Sequence, residues 1–312
     1  MEENYKEPNK KSRRDFLKTL GIVGAAGASG AMALYFGQQY ENIKSGKKVK
    51  LLTVDNKVVE FEDGKLKEYE RQTEELFIRG REGIAGKSWV MVIDLAKCQN
   101  ARKCITACQS AHQLRPEQYH INTLTMQDSQ DTPAYFMPKP CMHCDNPPCV
   151  SVCPVDATFK RNDGPVLMDN DRCIGCRFCI AACPYSARIF HWFDPKNAVL
   201  FKDMPYDLEL NVPQKLGTVT KCLFSADRLR KNELPYCVSN CPNGVYYFGD
   251  KNEDAVTNGT TKETVRLSTL LKENAAYRLM EELGQEPRVY YLPPKGRKGT
   301  LPEENKNNEN HV

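Results

Sequence analysis

The sequence predicts an α+β protein of short strands and short helices, arranged as tandem cysteine-rich modules with an extension at each end. Three observations predict it. All 14 cysteines lie between Cys98 and Cys241, in four groups that repeat one spacing pattern. Apolar runs in that stretch are brief, as in Trp89-Val90-Met91-Val92-Ile93-Asp94, and turn residues bound them, which reads as strand. The flanks before residue 89 and after residue 250 contain no cysteine and are more polar.

The chain has 312 residues, enough for one or two domains plus tails. Lys and Arg total 44 against 40 Asp and Glu, a formal charge of +4. That balance is too near neutral for a nucleic-acid-binding protein. Residues 1–18 alone carry six basic and four acidic side chains, half of the excess. Apolar residues make up 40%, which suffices for a core. No stretch has the length and apolarity of a multi-span membrane protein.

The third cysteine group is the cleanest: Cys173-x2-Cys176-x2-Cys179-x3-Cys183-Pro184. The second reads Cys141-x2-Cys144-x4-Cys149-x3-Cys153-Pro154. In the ferredoxin pattern, three closely spaced thiolates hold one iron–sulfur cubane and the fourth reaches a second cluster. Three ligands on a tight loop cover one side of a cluster, and loop N–H groups can point at its sulfides. Proline after the fourth cysteine turns the chain without needing an N–H partner. The other groups are damaged copies. Group one is Cys98-x2-Ala101-x2-Cys104-x3-Cys108, and group four is Cys222-x2-Ser225-x11-Cys237-x3-Cys241-Pro242. Each has lost its second thiol.

Two plainer readings compete. An even cysteine number suggests disulfides in an exported protein. Three thiols within seven residues are awkward to bridge without strain, however, and Cys-Pro endings serve no disulfide framework. Structural zinc prefers paired Cys-x2-Cys knuckles, whereas these triplets leave a surplus thiol in each group.

The order of spacings, the long gap in group four, and the phrases Cys141-Met-His-Cys-Asp-Asn-Pro-Pro-Cys149 and Cys173-Ile-Gly-Cys-Arg-Phe-Cys179 resemble one family. It is that of the four-cluster iron–sulfur subunits of the DMSO reductase, polysulfide reductase and formate-dependent nitrite reductase complexes. The resemblance spans about Val90 to Asp250. It implies two ferredoxin-like lobes, groups two and three pairing in one, groups one and four in the other. One 4Fe–4S cluster would take Cys141, Cys144, Cys149 and Cys183. Its neighbour, also 4Fe–4S, would take Cys173, Cys176, Cys179 and Cys153. In the other lobe, Cys98, Cys104 and Cys241 would hold a 3Fe–4S cluster, since the methyl group of Ala101 cannot ligate iron. Cys222, Cys237 and Cys108 would hold a 3Fe–4S or a 4Fe–4S cluster, with the Ser225 hydroxyl as a candidate fourth ligand. The implied partners are a redox catalytic subunit, often of molybdopterin type, and an integral membrane subunit that handles quinol. The protein would itself be no enzyme but an electron-transfer subunit of a hetero-oligomer.

Residues 12–18, Ser-Arg-Arg-Asp-Phe-Leu-Lys, precede an uncharged stretch from Thr19 to Tyr40 that is rich in glycine. This looks like a twin-arginine export signal over residues 1–36, cleaved after a site such as Ala31-Met32-Ala33 or kept as a single anchor. A short core helix with a chance arginine pair is the plainer alternative. That route carries folded proteins, which suits a cofactor installed before export and a final place on the periplasmic side of the inner membrane.

Residues 37–88 read as a polar linker with a small hairpin, Lys50 to Val54 and Val58 to Phe61 about an Asp55-Asn56 turn. A short helix is expected from Glu68 to Arg81. Residues 89–250 form the double iron–sulfur domain. Residues 251–312 form a C-terminal extension, with a helix from Thr261 to Leu283, an apolar segment at Val289 to Pro294, and a disordered end.

Several side chains carry weaker expectations. His143 either donates a hydrogen bond toward a cluster or faces solvent. Lys97, Arg172 and Lys221 each precede the first cysteine of a group, where a cation favours the reduced cluster, or else are solvated. His112, His120 and His191 read as isolated structural residues, and Trp192, near Phe190 and Phe193, as core packing. No nucleophile motif, phosphate loop or dinucleotide fingerprint is present in the sequence. The chemistry expected is therefore one-electron transfer by bound clusters. A freestanding polyferredoxin carrier and a cluster-bearing structural module without electron flux are the alternatives.

Overall fold

A computed structural model describes residues 48–52, 58–62, 78–195 and 206–294. The chain divides into two units, residues 1–75 and 76–312. In the first, strands β1 (Lys48–Leu52) and β2 (Val58–Glu62) form an antiparallel hairpin with Lys50 opposite Glu60. The predicted hairpin is present, with its first strand set two residues earlier. The export signal lies outside the described residues, as does the predicted helix apart from 78–82, which is helical.

The second unit contains β3 (Trp89–Asp94), β4 (Asn122–Met126), β5 (Tyr135–Lys139), β6 (Thr158–Lys160), β7 (Val166–Met168), β8 (Arg188–Phe190), β9 (Val219–Lys221), β10 (Tyr246–Asp250), β11 (Ala255–Asn258), β12 (Thr264–Arg266), β13 (Tyr277–Arg278) and β14 (Val289–Leu292). Its helices are α1 (Lys103–Ala111), α2 (Pro148–Ser151), α3 (Phe178–Ala181), α4 (Ala226–Leu229), α5 (Tyr236–Ser239) and α6 (Leu267–Glu273). A six-stranded sheet runs β12-β11-β10-β3-β14-β13, antiparallel except where β14 pairs with β3 in parallel. Pairs β4–β5, β6–β7 and β8–β9 form separate antiparallel ribbons.

Strand β3 is central, and apolar from Trp89 to Ile93 because both its faces are covered. Met91 and Ile93 face a core shared with Tyr246, Phe248, Val289 and Tyr291 and with eight cysteines: Cys98, Cys104, Cys141, Cys144, Cys183, Cys222, Cys237 and Cys241. Val90 and Val92 face a second core capped by Leu267, Leu270 and Leu271 of α6. The period of two thus assigns one sheet face to the cysteine loops and the other to α6. A third core gathers Cys149, Phe159, Val166, Leu167, Met168 and Cys179.

The predicted helix from Thr261 to Leu283 is corrected to a strand, a two-turn helix, a short strand and a 3-10 turn. Thr264 pairs with Thr257 of β11, their hydroxyls 2.8 Å apart. The Asp254 carboxylate takes both the amide and the hydroxyl of Ser268, 2.7 Å each, and fixes where α6 begins. Left-handed backbone at Ala275 and Met280 then breaks the helical path.

Arg161 and Asp163, whose side chains have no exposed surface, form a two-pronged ion pair at 2.9 and 2.6 Å. Asp163 also accepts from the Ile84 amide at 3.0 Å and the Trp89 indole at 3.1 Å. This pins the segment ahead of β3 to the β6–β7 ribbon. A Cβ at Gly83 (φ +86°) would stand 2.5 Å from Asp163 Oδ1, so the close approach requires glycine there.

Candidate metal centre

None of the fourteen cysteines forms a disulfide. The structure gathers them into four sets. Cys153, Cys173, Cys176 and Cys179 line one hollow. Cys144 lies beside Cys141, Cys149 and Cys183. Cys98, Cys104 and Cys241 line a hollow together with Ala101. Cys237 lies beside Cys222 and Cys108. In the second set, burial and then the neighbouring thiols push Cys144 up to about 12. Burial and then Cys141 push Cys222 up to about 11.

Local sequence explains how the loops bend. In group three the chain turns left-handed at Arg177, enters α3, and buries Cys179 one residue into it. In group one it turns left-handed at Arg102, enters α1, and buries Cys104 one residue into it. Each turn falls one residue after the second position of the motif. Ala101 has therefore lost its thiol without losing the loop. Ser225 is also left-handed, and its hydroxyl accepts the Tyr236 amide at 3.1 Å.

The sets are also near enough to act on one another electrostatically, in order. Cys104 of the first adjoins Cys108 and Cys237 of the fourth. Cys222 of the fourth adjoins Cys141 of the second. Cys149 of the second adjoins Cys179 of the third. Four thiol sets thus form one unbroken line, ending at Cys176, which is exposed.

Donors converge on the sulfurs. The Asn100 amide donates to Cys98, the Phe224 amide to Cys222, and those of Tyr185 and Ala187 to Cys183. The Tyr246 hydroxyl lies beside Cys104 and the Tyr185 hydroxyl beside Cys144. Both hydroxyls are buried with no hydrogen-bond partner in the protein, free to turn toward sulfur. The Arg188 guanidinium reaches both Cys149 and Cys179. Burial alone would keep these thiols protonated, yet N–H and O–H groups beside sulfur stabilise thiolates. Iron reconciles the two, since it holds thiolate without free charge. The donor set therefore fits iron–sulfur groups.

Sequence reasoning missed Tyr185, Tyr246 and Arg188. The Cys-Pro-Tyr run at 183–185 is a signal that could have found the first. Of the three cations ahead of the groups, Lys97 pairs with Asp94 at 3.2 Å and Arg172 with Asp156 and Asp169, while Lys221 is fully buried. Lys221 bonds the carbonyl oxygens of Val166 and Cys222, close to Cys141 and Cys149. His143 does not face solvent: it is buried, stacked on Phe224 with centroids 3.7 Å apart, and its Nδ1 accepts the Val166 amide at 3.0 Å. His112, His120 and His191 are not isolated but share one buried polar network. Trp192 and Phe193 are not core residues, being 62% and 66% exposed.

The C-terminal flank clamps the second cysteine loop. The Asp145 amide donates to Glu286 O at 2.9 Å, the Arg288 amide donates to Met142 O at 2.9 Å, and Arg288 pairs with Asp145 at 2.5 Å. Burial raises the Asp145 carboxyl, but hydrogen bonds from Lys160 and Arg288 outweigh it and hold the group below the usual carboxylate range.

Such a line of thiol sets in a mixed strand-and-helix fold defines a protein with a ferredoxin-like iron–sulfur domain, and residues 132–198 match the 4Fe-4S dicluster domain family. A selenate reductase subunit from Mesobacillus selenatarsenatis is 34% identical over 92% of this chain and 99% of its own length. A tetrathionate reductase subunit from Salmonella typhimurium is 34% identical over 68% of this chain and 74% of its own length. The iron–sulfur cluster-binding subunit of menaquinone reductase from Nitratidesulfovibrio vulgaris is 36% identical over 65% of this chain and 88% of its own length. The chain belongs to the family of iron–sulfur electron-transfer subunits of the DMSO, tetrathionate, selenate and nitrite reductase complexes. Its role is to carry electrons rather than to transform substrate.

Proposed function

We propose that this chain relays electrons through four clusters between a quinone-handling membrane subunit and a catalytic subunit, the latter of molybdopterin type. Iron–sulfur clusters supply one-electron transfer with little rearrangement. Cys141, Cys144, Cys149 and Cys183 hold one 4Fe–4S cluster, and Cys173, Cys176, Cys179 and Cys153 hold the next. Cys98, Cys104 and Cys241 hold a 3Fe–4S cluster beside Ala101. Cys222, Cys237 and Cys108 hold the fourth, with Ser225 at the position of its missing thiol. The sets of groups two and three each borrow a thiol from the other's loop, and likewise those of groups one and four, so two ferredoxin-like lobes result. The exposed edge at Cys176, flanked by Ile174 and Phe178, is where one partner docks. The complex lies on the periplasmic side of the inner membrane, reached folded by the twin-arginine route.

The observation that carries this reading is the unbroken succession of four neighbouring thiol sets, because electron transfer falls steeply with distance. Anaerobic purification followed by iron and sulfide counts and EPR tests it. Full occupancy gives about 14 or 15 irons, with three at the Ala101 set and three or four at the fourth. About eight irons would mean that only the two 4Fe–4S sites of groups two and three are filled and would end the four-cluster reading. An oxidised three-iron EPR signal is expected from the Ala101 set.

A further inference from the structure

The buried network around His120 ends on a cysteine sulfur, and its hydrogen bonds run one way. The Asn170 amide donates to Tyr206 Oη at 2.9 Å, and Tyr206 donates to Asn211 Oδ1 at 2.6 Å. Asn211 Nδ2 donates to Thr220 Oγ1 at 3.4 Å. Thr220 Oγ1 lies 2.9 Å from His120 Nε2, and His120 Nδ1 lies 3.6 Å from Cys108 Sγ. An amide nitrogen can only donate, so Thr220 accepts from Asn211 and keeps one proton to give. The acceptor beside it is His120 Nε2. A cysteine sulfur that ligates iron has no proton to give, so the Nδ1 that faces Cys108 carries the ring proton and Thr220 gives its own to Nε2.

We infer that His120 is a positioning residue for electron transfer, donating Nδ1–H to the Cys108 sulfur and raising the reduction potential of the cluster held with Cys222 and Cys237. This rests on the reading of Cys108 as a ligand of that cluster. A hydrogen bond to a ligand sulfur favours the more negative reduced state. A separation of 3.6 Å suits an N–H···S bond, whereas two ligands on different irons of one cluster stand farther apart. Thr220 sets the direction of the bond without touching the sulfur. The effect is confined to one of the four thiol sets, so it shapes the potential profile along the line.

The test is potentiometric EPR on the anaerobically purified protein, with iron counted in each variant. His120→Leu shifts the reduction equilibrium of that one cluster about five- to tenfold toward the oxidised form, tenfold being 59 mV for one electron. Thr220→Val shifts it the same way while leaving the imidazole in place, since nothing then holds the proton on Nδ1. Thr220→Ser restores the wild-type value, and His120→Asn, whose amide nitrogen can take the place of Nδ1–H, restores most of it. With 15N-histidine labelling, pulsed EPR of the reduced cluster detects a nitrogen coupling that His120→Leu abolishes. An unchanged potential in Thr220→Val at full iron content overturns the inference, even where His120→Leu has lost its cluster. A wild-type protein with about eight irons instead overturns the four-cluster reading itself, which the iron count reveals separately.

Discussion

The amide of Cys141 donates to the sulfur of Cys222, so the second cysteine group and the fourth share a hydrogen bond. Between them stands Lys221, buried, its ammonium held by carbonyl oxygens of Val166 and Cys222. Two sites that are distant in sequence are therefore neighbours under the field of one cation. Lys221→Met should lower the potentials of both, by an amount on the order of 1 kcal/mol each. Redox titration that moved one and spared the other would contradict the shared field.

Exchange of the fourth ligand makes a separate claim. Cys183 follows the loop of Cys173, Cys176 and Cys179, yet its sulfur lies beside Cys141 and Cys144. Cys183→Ser should damage the cluster on Cys141, Cys144 and Cys149 and spare the one on its own loop. EPR of the reduced variant distinguishes these outcomes.

The tyrosine hydroxyls beside Cys104 and Cys144 offer the gentlest perturbation. Tyr246→Phe and Tyr185→Phe each remove one donor and keep the ring. Each should lower one cluster potential by about 1 kcal/mol, a factor of about five in the reduction equilibrium. The two shifts should appear in different clusters and add without coupling in the double variant.

Stability should be most sensitive at Arg161. Arg161→Met leaves the Asp163 carboxylate buried, with the Ile84 amide and Trp89 indole as its remaining partners. The expected loss is about 3–5 kcal/mol, read as a fall in the thermal midpoint at fixed iron content.

The clamp at Asp145 predicts a pH dependence. Its pKa is depressed in the folded protein, so its stabilisation is present above the unfolded carboxylate value and lost as pH falls through the lower folded value. Asp145→Asn should therefore be less stable than wild type near neutral pH, by about 1 kcal/mol at most because the pair is partly solvated. Denaturation curves of the two proteins should converge in acid.

The cysteine groups and strand β3 were legible because their signals are local: ligand spacing lies within a dozen residues, and an apolar run marks a strand covered on both faces. The hairpin was legible from its turn. Donors to the sulfurs were harder to see, since Tyr246 and Arg188 reach cysteines from other elements and no spacing announces them. Trp192 was misread because an aromatic cluster looks the same whether it is covered or exposed. The helix expected beyond Thr261 failed because Asp254, seven residues earlier, decides where that segment turns. His120 looked isolated since its partners, Thr220 and Cys108, are brought to it by the fold.

Strand β3 opens the cysteine domain, and its parallel neighbour β14 closes the described part of the chain nearly two hundred residues later. During synthesis the first strand must wait with one edge bare until translation has passed residue 289. Completion of the sheet is thus late by geometry, and a ribosome stalled ahead of that point would release a chain whose metal-bearing face lacks its backing.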